Sequence, residues 1–380
     1  MRPGAVMVKY DELHIVQYWY LFLECFIGLI YLSLIRIQIE LFIAYLKIPA
    51  DVIRPRFFSS GGKVKTSLVE TYHSGDIKLG LAYIFIDILS LTLWYSLHNK
   101  RKNLRLLILF LNTRRNICPS VDKNYHRWIN IFVLGNVIAT ILFAVVFACF
   151  TQGVDGAAEF WTLGSKFSNK KYETILNFIG GYAYYLVYSE YPISFTLSTC
   201  KLVYRYGLVL QQYNEDIKNL NYSSITAKCF EIANRYTAIE QNIHLLKDTL
   251  SFSLFLMLVS GFFNIYTALS YILTYDVPLH ICAELSSNAC TGAMIIILLT
   301  IYCSRIPEYM MAIKGSVGSV IDKNQMHNLN LVGEVRFLTR IENKDIVYLS
   351  AGGMINFTKS FLLPAFGTIL TYSILIVKLE

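Results

Sequence analysis

The chain has 380 residues, of which 55% are apolar and only 16% charged, with a net charge of +8 and a mean hydropathy of +0.46. Ordinary soluble domains carry about 25% charged residues, so this composition places the whole chain in a lipid bilayer, and no second, soluble domain is visible in it. The excess of Lys and Arg reads as a membrane-insertion signal and gives no support to nucleic-acid binding.

A helical span needs about 20 mostly apolar residues. Seven stretches qualify to different degrees: 15–46, 79–97, 128–150, 174–199, 250–275, 285–303 and 347–377. The first is the least clean, because it contains Glu24 and because Arg36 and Glu40 follow Ile35. One long tilted helix and a short span followed by an interfacial helix both fit it. The first fourteen residues lack the signal-peptide pattern, so the stretch is expected to stay in the mature protein. Lys and Arg concentrate in the connections 100–127, 201–247 and 305–344. That bias predicts a cytoplasmic N-terminus and an extracellular C-terminus, although Arg54, Arg56, Lys63 and Lys65 fall in the first outer connection. The expected fold class is an all-α membrane protein of seven transmembrane helices, a multi-pass protein of the plasma membrane in contact with lipid. Its inner helical extensions, 200–249 and 305–346, would form an anchor region.

In chain order, the outer halves of the spans are rich in aromatic residues. Trp161 stands in the second outer connection, Tyr182, Tyr184, Tyr185 and Tyr188 follow Gly180 and Gly181 in span 4, and span 5 carries Phe263, Tyr266 and Tyr271. Aromatic faces with hydroxyl tips suit a small amphipathic organic ligand; an interfacial aromatic belt is the alternative. An absence of acidic residues from this site is expected and argues only against a strongly cationic ligand. Between spans 4 and 5, Ile225, Cys229, Ile232, Tyr236, Ile239, Ile243, Leu246 and Leu250 recur at alternating spacings of four and three. This is a helical a/d stripe following an N-cap at Ser223 or Ser224. It needs a partner, either the helix near 332–341 of the same chain or a neighbouring subunit. Cys282 and Cys290, at the outer end of span 6, leave a disulfide open.

Catalytic constellations are missing from the sequence. The seven His residues are scattered, and there is no phosphate loop, dinucleotide turn or nucleophile elbow. Neither an enzyme, a cofactor nor a metal is expected.

The last segment is apolar but interrupted by Asn356, Lys359, Pro364 and Gly367, and it carries Thr371 and Tyr372 ahead of Lys378 and Leu379. Intramembrane polar groups usually face a wet path or a protein partner. Lys359, about twelve residues into the stretch, is expected to face an inner vestibule. Pro364 and Gly367 would supply a kink and a flexible point. The closing run TYSILIVKL resembles the TYxxxxxQF signature of arthropod gustatory receptors, and the preceding FLTRIENKDIVYLSAGGMINFTKSFLLPAFGTIL is similar to that family's approach to its last span. The resemblance covers about the last 170 residues, counting spans 4 to 6 more loosely. It implies a ligand-gated, non-selective cation channel opened by a small-molecule tastant. Four subunits, identical or mixed with other gustatory receptors, would surround one pore lined by the seventh helices. Lys378 stands where the family has Gln and Leu379 where it has Phe. A ring of Lys378 ammonium groups would repel cations at the outer mouth, unless the side chain snorkels to the headgroups. An odorant-receptor-like channel and a non-conducting co-receptor are the alternatives. A G-protein-coupled receptor fits less well, because the inner ends of spans 3 and 7 lack its polar motifs.

Overall fold

The computed structural model describes residues 77–113, 119–151, 169–219, 222–274, 279–327 and 332–379. Helices dominate them: α1 (Ile77–Thr113), α2 (Pro119–Phe150), α3 (Lys170–Tyr185), α4 (Tyr191–Lys218), α5 (Tyr222–Thr274), α6 (Leu279–Cys303), α7 (Arg305–His327), α8 (Val332–Glu342) and α9 (Leu362–Leu379). Among the described residues, three helical stretches are long and apolar enough to cross a membrane, namely Ile131–Phe150, Cys229–Leu273 and Cys282–Lys323. The first predicted span lies outside the described residues.

The chain divides into two compact units. The first draws on the segments Met1–Tyr95, Val137–Pro192 and Tyr266–Ala289. Its local chemistry is clearest at α3. Asn169 caps the helix by accepting a hydrogen bond from the Lys171 backbone N–H at 3.0 Å, and Glu173 sits in the first turn, where the helix dipole favours a negative charge. Gly180 and Gly181 are buried, and a Cβ on Gly181 would lie 2.9 Å from the Phe147 ring of α2. The missing side chain thus lets the two helices approach. After Tyr185 the helix widens into a π turn, Leu186–Glu190, in which the Tyr191 N–H bonds back five residues to the Leu186 carbonyl. Pro192 follows, without the N–H that would have reached the Tyr188 carbonyl in an α-helix. The widened turn lies where that bond is missing.

The second unit draws on Ser96–Asn136, Ile193–Ile265 and Cys290–Glu380. Helix α5 runs unbroken for 53 residues, about 80 Å at 1.5 Å per residue. It begins at Tyr222, so Ser223 and Ser224 lie in the first turn instead of capping it. The predicted stripe from Cys229 to Leu250 is buried within this single chain. The seam therefore needs no second subunit. Its covering comes partly from α4: Tyr213 donates its hydroxyl to the Ile232 carbonyl at 2.9 Å, and its ring packs at 5.7 Å from that of Tyr236. Burial pushes the Tyr213 phenol above its ordinary pKa. Off the stripe, Phe230 meets Phe337 of α8 edge to face. Lys344, past the end of α8, pairs with Glu240 and lies over the Tyr236 ring. Farther along, α5 and α6 cross with Gly261 against Gly292, where a Cβ on Gly292 would run into the Gly261 carbonyl oxygen.

One departure from the sequence reading concerns residues 347–361. The apolar segment does not enter a helix at 347; it first forms a two-stranded antiparallel hairpin, β1 (Ser350–Ala351) with β2 (Ile355–Asn356). Gly352 and Gly353 turn it with φ of 61° and 74°, a region costly for any residue with a Cβ. The Gly352 N–H donates to the Ser251 carbonyl of α5 at 2.9 Å, which fastens the hairpin to that helix. A 3-10 turn, Lys359–Phe361, then leads into α9. The disulfide left open at Cys282 and Cys290 is absent. Both are free, because they lie eight residues apart on α6, about 12 Å along its axis and beyond disulfide reach.

Candidate functional site: a buried aromatic and polar cluster, and an exposed last helix

The aromatic residues of span 4 converge inside the first unit. Tyr185 and Tyr188 are each 2% exposed and Tyr184 is also buried, while Tyr182 is half-buried and stacks on Phe178. Tyr184 stacks on Tyr188 with ring centroids 4.3 Å apart and meets Tyr185 edge-on at 5.3 Å. Phe143 of α2 lies 5.5 Å from Tyr185. Tyr188 comes from the π turn and Tyr184 and Tyr185 from the end of the helix before it; such turns recur at functional sites. Tyr271 is half-buried nearby in sequence terms only, packed on Ala268 and Leu285. Tyr266 does not join a buried site. It is 44% exposed, because it falls on the outer face of α5 two residues before buried Ala268. Phe263 belongs to the second unit and is half-buried there. Trp161 lies outside the described residues.

The cluster is more polar than the sequence reading allowed. Buried Asn288 of α6 donates its Nδ2 to the Tyr184 hydroxyl at 3.1 Å. Glu284, one turn earlier on the same helix, is buried and acts electrostatically on Tyr185. Glu190 of the π turn is hydrogen-bonded by Thr140 of α2. The expectation that acidic residues are absent is therefore corrected: Glu190 follows Tyr188 by two residues in the same span, and Glu284 arrives from a helix far along the chain. Asn177, Ser287 and Asn288 were missed as well. The available signal was a stripe of polar residues inside a span, Glu284, Ser287 and Asn288, at helical spacing. On uncharged side chains of the first unit, Asn177 Oδ1, Ser287 Oγ and Asn288 Oδ1 are buried without a hydrogen-bond partner. Buried polar groups are normally satisfied, so such atoms call for an explanation.

The second candidate region is the last segment. Asn356 lies on β2 and is exposed. Lys359 is not deep in a helix: it sits in the 3-10 turn, 65% exposed, with its Nζ 2.8 and 3.0 Å from the two carboxylate oxygens of Glu308 on α7. Pro364 occupies the first turn of α9, where its missing N–H would have had no partner anyway, so it starts the helix instead of kinking it. Among the described side chains of α9, only Ala365 and Ile369, at i and i+4, are buried. Leu363, Pro364, Gly367, Thr368, Leu370, Thr371, Tyr372 and Leu375 are exposed. The Thr368 and Thr371 hydroxyls donate to the carbonyls of Pro364 and Gly367 at 2.7 and 2.8 Å, which satisfies them without a partner outside the helix. Lys378 and Leu379 fall in the last turn of α9; their side chains lie outside the described residues.

No protein-family model and no curated protein matches the chain. Solved structures do share its architecture. The insect olfactory receptor OR5 from Machilis hrabei matches at 12% identity over 79% of this chain and 81% of that one, with a TM-score of 0.54. The same receptor in complex with eugenol matches at 11% identity over 94% and 88%, with a TM-score of 0.60. Identity at this level speaks for the fold alone, and in its fold this chain is similar to an insect olfactory receptor.

Proposed function

We propose that this chain is a chemoreceptor subunit of the insect type, a ligand-gated, non-selective cation channel of the plasma membrane opened by a small organic molecule. The gustatory type is favoured by the closing TYSILIVKL run, and the small molecule is then a tastant. The observation that carries this reading is the exposure of α9: an apolar helix bearing Thr371 and Tyr372 buries only Ala365 and Ile369 among its described side chains. Such a surface needs other subunits, lipid or an ion path around it. Four copies of α9 around one conduit would put the hydroxyls and the backbone at Gly367 beside passing ions.

The ligand would occupy the tyrosine cluster of the first unit. It opens the pore only if it binds the open arrangement more tightly than the closed one. Lys378 at the outer end of α9 favours a second element of the reading: the chain conducts poorly as a homotetramer and works with partners that supply a neutral residue there.

Whole-cell recording from cells expressing the chain alone and as Lys378→Gln, across a tastant panel that includes eugenol, tests both parts. The expected outcome is a ligand-evoked cation current that grows in Lys378→Gln. Identical currents and selectivity in the two forms would dismiss the charged ring. Silence of both forms, alone and with co-expressed gustatory receptors, would sink the channel reading.

A further inference from the structure

Three of the buried first-unit atoms without a hydrogen-bond partner, those on uncharged side chains, can all accept a hydrogen bond. Asn177 Oδ1 and Asn288 Oδ1 are amide oxygens, which accept hydrogen bonds, and Ser287 Oγ is a hydroxyl, which accepts as well as donates. Their residues are 3%, 3% and 5% exposed, so bulk water does not serve them. Asn288 is held in place on its other side by the bond from Nδ2 to the Tyr184 hydroxyl, and Tyr184 is held by its stack on Tyr188. Asn177 lies seven residues before Tyr184 on α3, on the same buried face as Gly180, Gly181 and Tyr184. Ser287 and Asn288 are consecutive on α6. An aromatic cluster of Tyr184, Tyr185, Tyr188 and Phe143 thus stands beside Asn288, whose Oδ1 lacks a donor.

A ligand that fills this place must bring the missing donor. The carboxylates of Asp87, Glu190 and Glu284 each take part in an interaction of their own, so they are not what waits for a partner. A cation would be matched to the carboxylates; a neutral hydroxyl is matched to the amide oxygens. A hydroxyl also tolerates either orientation of the Asn288 amide, since it both donates and accepts. From this we infer that the site, on the reading that it is the ligand pocket, selects neutral aromatic or cyclic alcohols and phenols. The ligand hydroxyl donates to Asn288 Oδ1 while its ring lies against the tyrosines. Discrimination against the same skeleton without the O–H would follow, because the amide oxygen then stays buried and unpaired.

The test uses the purified full chain in nanodiscs and the ligand concentration that half-maximally raises its thermal unfolding midpoint. Three probes share one ring and chain length: 2-phenylethanol, its methyl ether and 2-phenylethylamine. The alcohol is expected to act at about tenfold lower concentration than the ether, the size of one buried hydrogen bond. In Asn288→Leu that ratio should fall toward one through weaker alcohol binding, with the ether unchanged. Equal potency of alcohol and ether in the unmodified chain would overturn the inference, leaving ordered water as the donor while the pocket reading stands. The amine acting at the lowest concentration would also overturn it, in favour of the carboxylates. No shift from any of the three would remove the pocket reading together with the inference. The comparison in the unmodified chain decides the matter even if Asn288→Leu does not fold.

Discussion

Single residues carry two different burdens in this protein, one conformational and one chemical. Gly352 is conformational. Its φ of 61° turns the hairpin, its N–H is committed to Ser251, and a Cβ there would meet the Phe255 ring at 3.3 Å. Gly352→Ala should destabilise the chain by about 1 kcal/mol or more, read as a lower melting midpoint of the purified protein. An unchanged midpoint would mean that the turn does not matter to the fold. Asn177 carries the chemical burden. An unpaired buried oxygen costs about 1–3 kcal/mol, so Asn177→Leu, of similar volume, should raise the midpoint without ligand. A lowered midpoint would show that the amide is satisfied after all. Neither position was legible beforehand. Gly352 lies in an apolar run that reads as helix, and the meaning of Asn177 depends on which helices surround it.

At the scale of elements, periodicity was the reliable guide and apolar continuity was not. The stripe from Cys229 to Leu250 repeats every three and four residues, and α5 buries it. A seven-residue pattern is a local property that survives whatever packs on it. The run from Val347 to Val377 has no such signature, so its apolar character alone suggested one long span. The helix instead begins at Leu362, after a hairpin, and is 18 residues long, about 27 Å. This shift changes the meaning of its polar residues. Pro364 becomes a helix starter and Lys359 an exposed partner of Glu308. Gly367 is left as the one interior helix breaker of α9, and nothing lies within 4 Å of where its Cβ would be. Gly367→Ala should therefore stabilise the isolated subunit by up to about 1 kcal/mol through helix propensity. If α9 bends there to open, the same change should slow or weaken ligand-evoked opening. Unaltered gating would assign Gly367 no hinge role. An exposed ion pair such as that of Lys359 and Glu308 contributes about 0–1 kcal/mol. A double-mutant cycle of alanines at the two positions should stay within that range, and a larger coupling would make the pair a latch.

For the whole molecule, the predictions concern sidedness and stoichiometry. An epitope tag on the N-terminus should be reached by antibody only after the cell is permeabilised, as the Lys and Arg distribution requires. Labelling of intact cells would overturn the orientation and with it the outward-facing pocket. Mass measurement of the detergent-solubilised chain, alone and with a co-expressed gustatory receptor, should give four subunits. A monomer in both cases would leave the exposed face of α9 to lipid and remove the shared pore. What the amino-acid order determined by itself was what short-range physics can encode: membrane residence from composition, helices from periodicity, and an odd polar last segment from its interruptions. Only the tertiary structure decided that Glu284 and Asn288 stand beside the tyrosines of span 4 and that the α5 seam is covered by its own chain. It also decided that a glycine hairpin precedes the last helix. These pairings join residues up to about a hundred positions apart, and their stability depends on which faces meet, a quantity that no local window contains.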